Sequence, residues 1–402
     1  MTDPFATKAT YGQVFAVPQF RAVFAARLLG VMSDTLRAVA LAVLVYRQTS
    51  SPLLTALAIT INFLPQAAGG LFLAAMADRF TPRTLITAGY ALQCAAGLVL
   101  AFADLPVALS LLLVAAVACL TPITTGSTAR VLAEALSGDA YVLGRSLSYV
   151  VAVGAQMVGM AAGGALVAWL DVDRTMLVTA GTHLLAAVIS LLFLARAEAV
   201  RTGGTGGSIV RRALRGNAEL LRSPGVAKLI AAQCLPAAYL AATGSLLIPY
   251  AALRGFGPAQ TGVLLAATSA GMLVGDVVVG RAFAPITRER LVLPLLLVMG
   301  APSLALVADL PHPAVVAAYV VTGVGSAYLL GLQRRFLEAV PADLQGQGFA
   351  LLNTTTMTVQ GVGPLVFGVV AEFLPTGHAI ALTGVGSVVT TLLLRNVVRP
   401  RG

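Results

Sequence analysis

Three charged side chains, Arg27, Asp34 and Arg37, stand inside a stretch from Phe20 to Tyr46 that is otherwise almost wholly apolar. Helical spacing puts Arg27 and Asp34 two turns apart on one face, with Arg37 one turn further on near the same face. A carboxyl group flanked by guanidinium groups in apolar surroundings has proton chemistry available to it, because its hold on a proton depends on how wet the site is. Two uses are open. Asp34 can load a proton on one side of a membrane and release it on the other, or the three charges can form a static network that holds one helix against its neighbours. A lone charge near mid-bilayer costs roughly 2.5 to 3.5 kcal/mol even on mild insertion scales, so either use turns the cluster toward a protein interior or a watery cavity.

The elements that carry such a cluster follow from composition. With 402 residues, 58% hydrophobic and 10% charged, and a mean hydropathy of +0.90, the chain is far more apolar than a soluble protein. Its apolar runs suit helices crossing a hydrocarbon core of about 30 Å, where barrel strands would need only about 9 to 11 alternating residues. The net charge of +10 is carried by basic residues scattered between apolar runs, without an aromatic stacking platform, so it reads as membrane topology and not as nucleic-acid binding. Cys94, Cys119 and Cys234 all lie in apolar segments without disulfide or metal-ligand spacing, and read as packing residues. The first twenty residues lack the pattern of a removable signal peptide, so the first apolar span is expected to direct insertion.

Apolar runs between polar punctuation predict spans over 20–46, 53–77, 84–103, 107–129, 144–169 and 175–195, then 226–251, 258–283, 291–309, 313–333, 347–373 and 378–395. The reading is an all-α integral membrane protein of twelve transmembrane helices in two pseudo-symmetric six-helix bundles, 1–195 and 225–402. They are joined by a polar linker, 196–224, with a Thr-Gly-Gly-Thr-Gly-Gly stretch and then Arg211, Arg212, Arg215 and Arg222 on a short surface helix. Lys8, Arg21, Arg79, Arg83, Arg130, Arg145, the linker arginines, Arg281, Arg288, Arg290, Arg334, Arg335, Arg395, Arg399 and Arg401 fall on one side, and only Arg47, Arg174 and Arg254 on the other. Because positive loops are retained in the cytoplasm, both termini are expected there.

The halves repeat. Ala129 to Asp139, A-R-V-L-A-E-A-L-S-G-D, matches Arg334 to Asp343, R-R-F-L-E-A-V-P-A-D, at a shift of about 204 residues, pairing Arg130 with Arg334, Glu134 with Glu338 and Asp139 with Asp343. Gly144, Gly159 and Gly164 pair with Gly348, Gly363 and Gly368 at the same shift. Earlier in the halves Pro52 and Thr55 pair with Pro258 and Thr261 at a shift of 206, which matches Asp34 with Leu240 on helix 7, so Asp34 is the only acid placed near mid-membrane in the first half.

Two six-helix halves, a basic central loop and Ala74 to Arg83, A-A-M-A-D-R-F-T-P-R, resemble the major facilitator superfamily. Its signature between helices 2 and 3 is Gly-x-x-x-Asp-Arg-x-Gly-Arg-Arg/Lys. Asp78, Arg79 and Arg83 match it, while Ala74, Thr81 and Pro82 replace two glycines and an arginine. Within that superfamily, Pro18 to Arg27, the Ser33-Asp34 pair and Tyr46 to Pro52 resemble bacterial exporters of the macrolide-efflux and enterobactin type. The resemblance implies that Asp78 sits at the amino end of helix 11, near Gln347 to Asn353, and that Arg79 and Arg83 pair with acids such as Glu134 or Asp139 to close the cytoplasmic side. Gly280-Arg281 replaces Asp-Arg in the second half, with Asp276 one turn earlier.

On helix 5, Gly154, Gly159, Gly163 and Gly164 resemble the exporters' glycine-rich antiporter motif, whose proline is absent at Met160 but present at Pro364, within Gly363 to Gly368 on helix 11. Packing glycines and a role in setting export direction are both open readings of these positions. The resemblance also implies that helices 1, 4, 7 and 10 line a cavity. Polar residues at mid-depth, Asn62, Gln66, Gln156, Gln233, Tyr239, Asn353 and Gln360, are the candidates to face it, and His183 on helix 6 reads as packing. A lining of amides and tyrosines among apolar residues suits a bulky amphipathic compound, not a sugar or phosphate.

The lysines, Lys8 and Lys228, lie outside any phosphate-binding loop, which excludes a built-in ATPase. His183, His312 and His378 are far apart, and neither a His-Glu-x-x-His zinc site nor a Gly-x-Ser-x-Gly elbow is present, so a membrane-embedded enzyme is disfavoured. The expected protein is a secondary transporter in the plasma membrane of a bacterium. It exports a small molecule such as a drug, antibiotic or siderophore by proton antiport, as a monomer in the lipid bilayer, with no cofactor, metal or nucleic acid. An importer and a lipid or lysolipid flippase are the alternatives on the same fold.

Overall fold

The computed structural model describes residues 10–72, 80–195, 215–341 and 344–398, and these are helical with no strand among them. Eleven continuous segments are long and apolar enough to cross a membrane. The longest lies within the helix Gly138–Phe193, which breaks at Asp171, where the backbone turns to φ 65° and ψ 175°; counting its two parts separately gives twelve. In order they are α1 Pro18–Thr49, α2 Pro52–Gly70, α3 Pro82–Phe102, α4 Val107–Ala135, α5 138–170 and α6 172–193. The second set is α7 Pro224–Leu253, α8 Pro258–Ala282, α9 Ile286–Val307, α10 His312–Ala339, α11 Gln347–Phe373 and α12 Thr376–Leu393.

Proline and small hydroxyl residues punctuate the chain as their chemistry dictates. Pro52 and Pro82 occupy first helical positions, where the missing N–H would have no intrahelical partner, and Ser51 and Thr81 cap the next amides. Two boundaries differ from the hydropathy reading. α4 and α10 extend to Ala135 and Ala339, beyond the apolar runs that end near 129 and 333, because each added turn carries an i,i+4 ion pair: Arg130–Glu134 at 2.7 Å and Arg334–Glu338 at 3.0 Å. The expected loop between helices 5 and 6 contracts to the single break at Asp171.

Packing divides the chain into two compact units, 1–40 with 68–203 and 41–67 with 204–402. In the first, α5 lies close on α1: a Cβ built on Gly159 would stand 2.6 Å from the Met32 carbonyl oxygen, and one on Gly163 would stand 3.0 Å from Val39 Cβ. Only glycine admits that approach. In the second unit α8 and α10 cross backbone to backbone, since Cβ atoms on Gly271 and Gly323 would meet the carbonyl oxygens of Val320 and Thr268 at 2.0 and 2.1 Å. Elsewhere in that unit, Tyr328, Phe336 and Leu296 anchor a buried apolar core. Large side chains such as Trp169, Phe102, Phe373 and Leu393 are at least three-quarters exposed, as suits helices whose outer faces meet hydrocarbon.

Also within the second unit, the Glu372 carboxylate accepts from the Ser51 hydroxyl and from the Leu53 N–H, at 3.1 Å for the latter, and so caps the amino end of α2. Glu372→Ala is expected to cost about 1 kcal/mol, the usual loss for a removed cap. Thermal unfolding in detergent measures it, and an unchanged midpoint would show that this cap contributes nothing.

Candidate functional site

The first unit assembles Asp34 into a network drawn from three helices. On α1, Asp34 and Arg37 sit one turn apart, and Arg37 Nη2 donates to Asp34 Oδ1 at 2.9 Å. Arg37 is only 2% exposed, and its Nη1 donates to Gln93 Oε1 on α3. A buried guanidinium is tolerated when its donors are met by a carboxylate and an amide oxygen, as here. From α6, His183 brings Nε2 to 3.3 Å from Asp34 Oδ1. The same ring places Nδ1 3.0 Å from Ser33 Oγ, whose hydroxyl donates to the Thr179 carbonyl at 2.8 Å.

This cluster borders a small recess, with a cavity volume of about 110 Å³. Arg27, Gly30, Val31 and Asp34 of α1 line one side, Gly89, Tyr90, Leu92 and Gln93 of α3 another, and Val117, Leu120, Thr121, Thr124, Thr125 and Thr128 of α4 the third. Gly30 gives the Tyr90 ring room to lie on α1, where an added Cβ would come within 2.5 Å of Tyr90 Cε1. The threonines repeat at three- and four-residue spacing, which turns one hydroxyl-bearing face of α4 toward the recess. Thr124 and Thr128 hydroxyls donate back to carbonyls one turn earlier, leaving their oxygens as acceptors.

Several expected site residues fall elsewhere. Arg27 lines the recess but is not joined to Asp34; its Nε is buried without a hydrogen-bond partner among the described residues. His183, read as packing, is a fully buried ring on α6, and the packing sets it against Ser33 and Asp34 of α1. Gln156 and Asn353 are exposed on their helices, and Asn62 and Gln66 lie at and after the break within α2. Gln233 is buried with Nε2 on the Leu229 carbonyl of its own helix. Tyr239 bonds Thr390 at 3.0 Å and meets Phe367 edge-on, and Gln360 is half-buried on α11.

Glu134 is engaged by Arg130, Glu338 by Arg334, and Arg334 also lies 3.4 Å from Glu289. Arg83 makes no ion pair among the described residues. Asp78, Arg79 and Asp343 lie outside the described residues, as does the side chain of Asp139. Gly164 is buried on α5; Gly363 packs on the Ala238 carbonyl and Gly368 on Leu53 in the second unit, with Pro364 inside α11. Sequence reasoning missed Gln93, Thr179 and the α4 threonines. A signal for α6 was present, since Thr175, Thr179, His183 and Ser190 form a polar stripe at helical spacing and all four are fully buried.

Comparison with known proteins supports the same fold. The chain resembles a POT family transporter solved in complex with 5-aminolevulinic acid, at 14% identity and a TM-score of 0.74, over 98% of each chain. It also resembles a mutant of the nucleoside transporter NupG, at 12% identity and a TM-score of 0.75, over 94% of this chain and 99% of that one. Comparison with curated proteins finds no sequence match. The family model described as Major Facilitator Superfamily matches residues 23–307. With twelve membrane-spanning helical lengths, a buried charge network on the first of them and a family match over most of its length, the chain belongs to the major facilitator superfamily and is a membrane transporter, not an enzyme.

Proposed function

We propose that this transporter exports an amphipathic small molecule in exchange for protons, with Asp34 as the coupling carboxylate. The observation that carries the reading is the half-open setting of Asp34: its side chain is 35% exposed, while Arg37 and His183, which hold it, are 2% and 0% exposed. A carboxylate placed this way can exchange a proton with water in the recess while its protonation state is felt inside the helix packing. The recess supports the substrate class. Arg27, Tyr90 and the α4 threonines supply a cation and hydroxyls on one part of its wall, and Val31, Val117 and Leu120 supply apolar surface on the other. A molecule with an apolar body and an anionic or hydrogen-bonding group fits both.

Export, as opposed to import, is supported by the likeness of the first hundred residues to bacterial exporters and by the glycines of α5. The distribution of Lys and Arg supports a bacterial plasma membrane with both termini in the cytoplasm. Asp78, Arg79 and Arg83 are assigned to closing the cytoplasmic side, and the protein acts as a monomer.

The test uses purified protein in liposomes with an imposed pH gradient and norfloxacin, a fluorescent amphiphile with a carboxylate, as the probe. Wild type is expected to move norfloxacin against its gradient and Asp34→Asn to lose that gradient-driven movement. Undiminished movement by Asp34→Asn removes Asp34 as the coupling group.

A further inference from the structure

The hydrogens of the Ser33, Thr179 and His183 contacts can be assigned from what each atom is able to do. The Thr179 carbonyl can only accept, and Ser33 Oγ lies 2.8 Å from it, so the one hydroxyl hydrogen of Ser33 points there. With that hydrogen committed, Ser33 Oγ must accept in its other contact, which is His183 Nδ1 at 3.0 Å. Nδ1 therefore carries a hydrogen. In a neutral imidazole this leaves Nε2 as a bare lone pair. That atom is buried, has no aligned hydrogen-bond partner, and lies 3.3 Å from Asp34 Oδ1.

A bare nitrogen lone pair 3.3 Å from an ionised carboxylate repels it, and on the fully buried histidine side no water screens the two. One proton placed between them ends the repulsion, whether the pair is written as imidazolium and carboxylate or as imidazole and carboxylic acid. We infer that His183 and Asp34 hold a single shared proton, so that the proton site of this transporter is a pair spanning α6 and α1; this rests on the coupling role given to Asp34 above.

The neighbours allow it. Arg37 occupies the same Asp34 oxygen at 2.9 Å and is itself held by Gln93. Arg27 and Tyr90 border the recess, the Tyr90 ring centre lying 6.4 Å from that of His183. The face of α5 against α1 presents Gly159 and Gly163, and α4 presents threonines, so neither adds a charge at the pair. A proton arrives from water in the recess at the open side of Asp34 and leaves by the same route. Its loss sets the two atoms against each other and drives α6 from α1 at this level. The protonation state is thereby read as helix separation.

The experiment is nitrogen NMR of the full chain in lipid nanodiscs with ¹⁵N-labelled histidine. The chain has three histidines, His183, His312 and His378, and His183→Gln assigns the signal of interest. At neutral pH wild type is expected to show His183 with Nδ1 protonated and Nε2 shifted toward the protonated position. Asp34→Asn is expected to remove the second proton and return Nε2 to a bare nitrogen, while His312 and His378 do not change. A His183 signal with hydrogen on Nε2 and a bare Nδ1, or one indifferent to Asp34→Asn, overturns the shared proton. The two readings fail separately. Lost norfloxacin movement in Asp34→Asn with an indifferent His183 leaves the coupling role and removes the pair. Retained movement with a lost second proton leaves the pair and removes the coupling role.

Discussion

Arg37→Ala is expected to lower the unfolding free energy by about 3 to 5 kcal/mol, the range for removing one partner of a buried ion pair. The guanidinium is 2% exposed and satisfies two groups at once, the Asp34 carboxylate on its own helix and the Gln93 amide oxygen on α3. Alanine takes the guanidinium from both, leaving the Gln93 oxygen without that donor and the Asp34 charge without its cation, and opens a space between α1 and α3. Arg37→Lys keeps the charge but not the planar fork, so it holds one acceptor and releases the other, and its loss is expected to fall between wild type and alanine. The double variant Asp34→Asn with Arg37→Ala should recover part of the loss, because the stranded negative charge goes with its partner. Denaturant unfolding in detergent, run on all four proteins, measures these differences. An Arg37→Ala variant within about 1 kcal/mol of wild type would show that the guanidinium is not the tie between α1 and α3.

Gly323→Val is expected to cost about 3 kcal/mol, toward the upper end for overpacking a tight site. The reason is the obstacle that an added Cβ meets: the Thr268 carbonyl oxygen at 2.1 Å, and backbone atoms of Met272 and Gly271 under 3.0 Å. Backbone cannot change rotamer, so α10 must move off α8 along their whole crossing. Gly271→Val should cost about as much from the facing side, where the Val320 carbonyl oxygen would stand 2.0 Å away. Gly181→Ala, where nothing lies within 4 Å of the added atom, provides the control and is expected to leave stability unchanged. Equal unfolding midpoints for Gly323→Val and Gly181→Ala would mean that α8 and α10 are not in backbone contact.

These expectations draw unequally on sequence and on fold. The twelve spans were legible because a helix crossing hydrocarbon satisfies all its backbone groups internally and advertises itself as some twenty apolar residues. Their ends were less so. The last turns of α4 and α10 are polar, and they stay helical because Arg130 and Glu134, like Arg334 and Glu338, pair along one helix. Asp34 and Arg37 were legible as partners for the same reason, being one turn apart. Arg27, two turns from Asp34, was legible as a charge on the same face, and seven residues of helix put it roughly 10 Å along the axis, so it lines the same recess without pairing.

The sequence by itself determined what local rules govern: the membrane class, the helices and the i,i+3 contact at the centre of the site. Only the tertiary structure decided which partners complete that contact. Gln93 lies 56 positions from Arg37 and His183 lies 149 from Asp34, and at such separations no helical period links them. They meet because Gly30 lets Tyr90 and α3 lie on α1, and because Ser33 ties α1 to the Thr179 carbonyl of α6. A lone buried histidine with no sequence signal to pair it with Asp34 thus stands 3.3 Å from its carboxylate only because the fold brings α6 to α1.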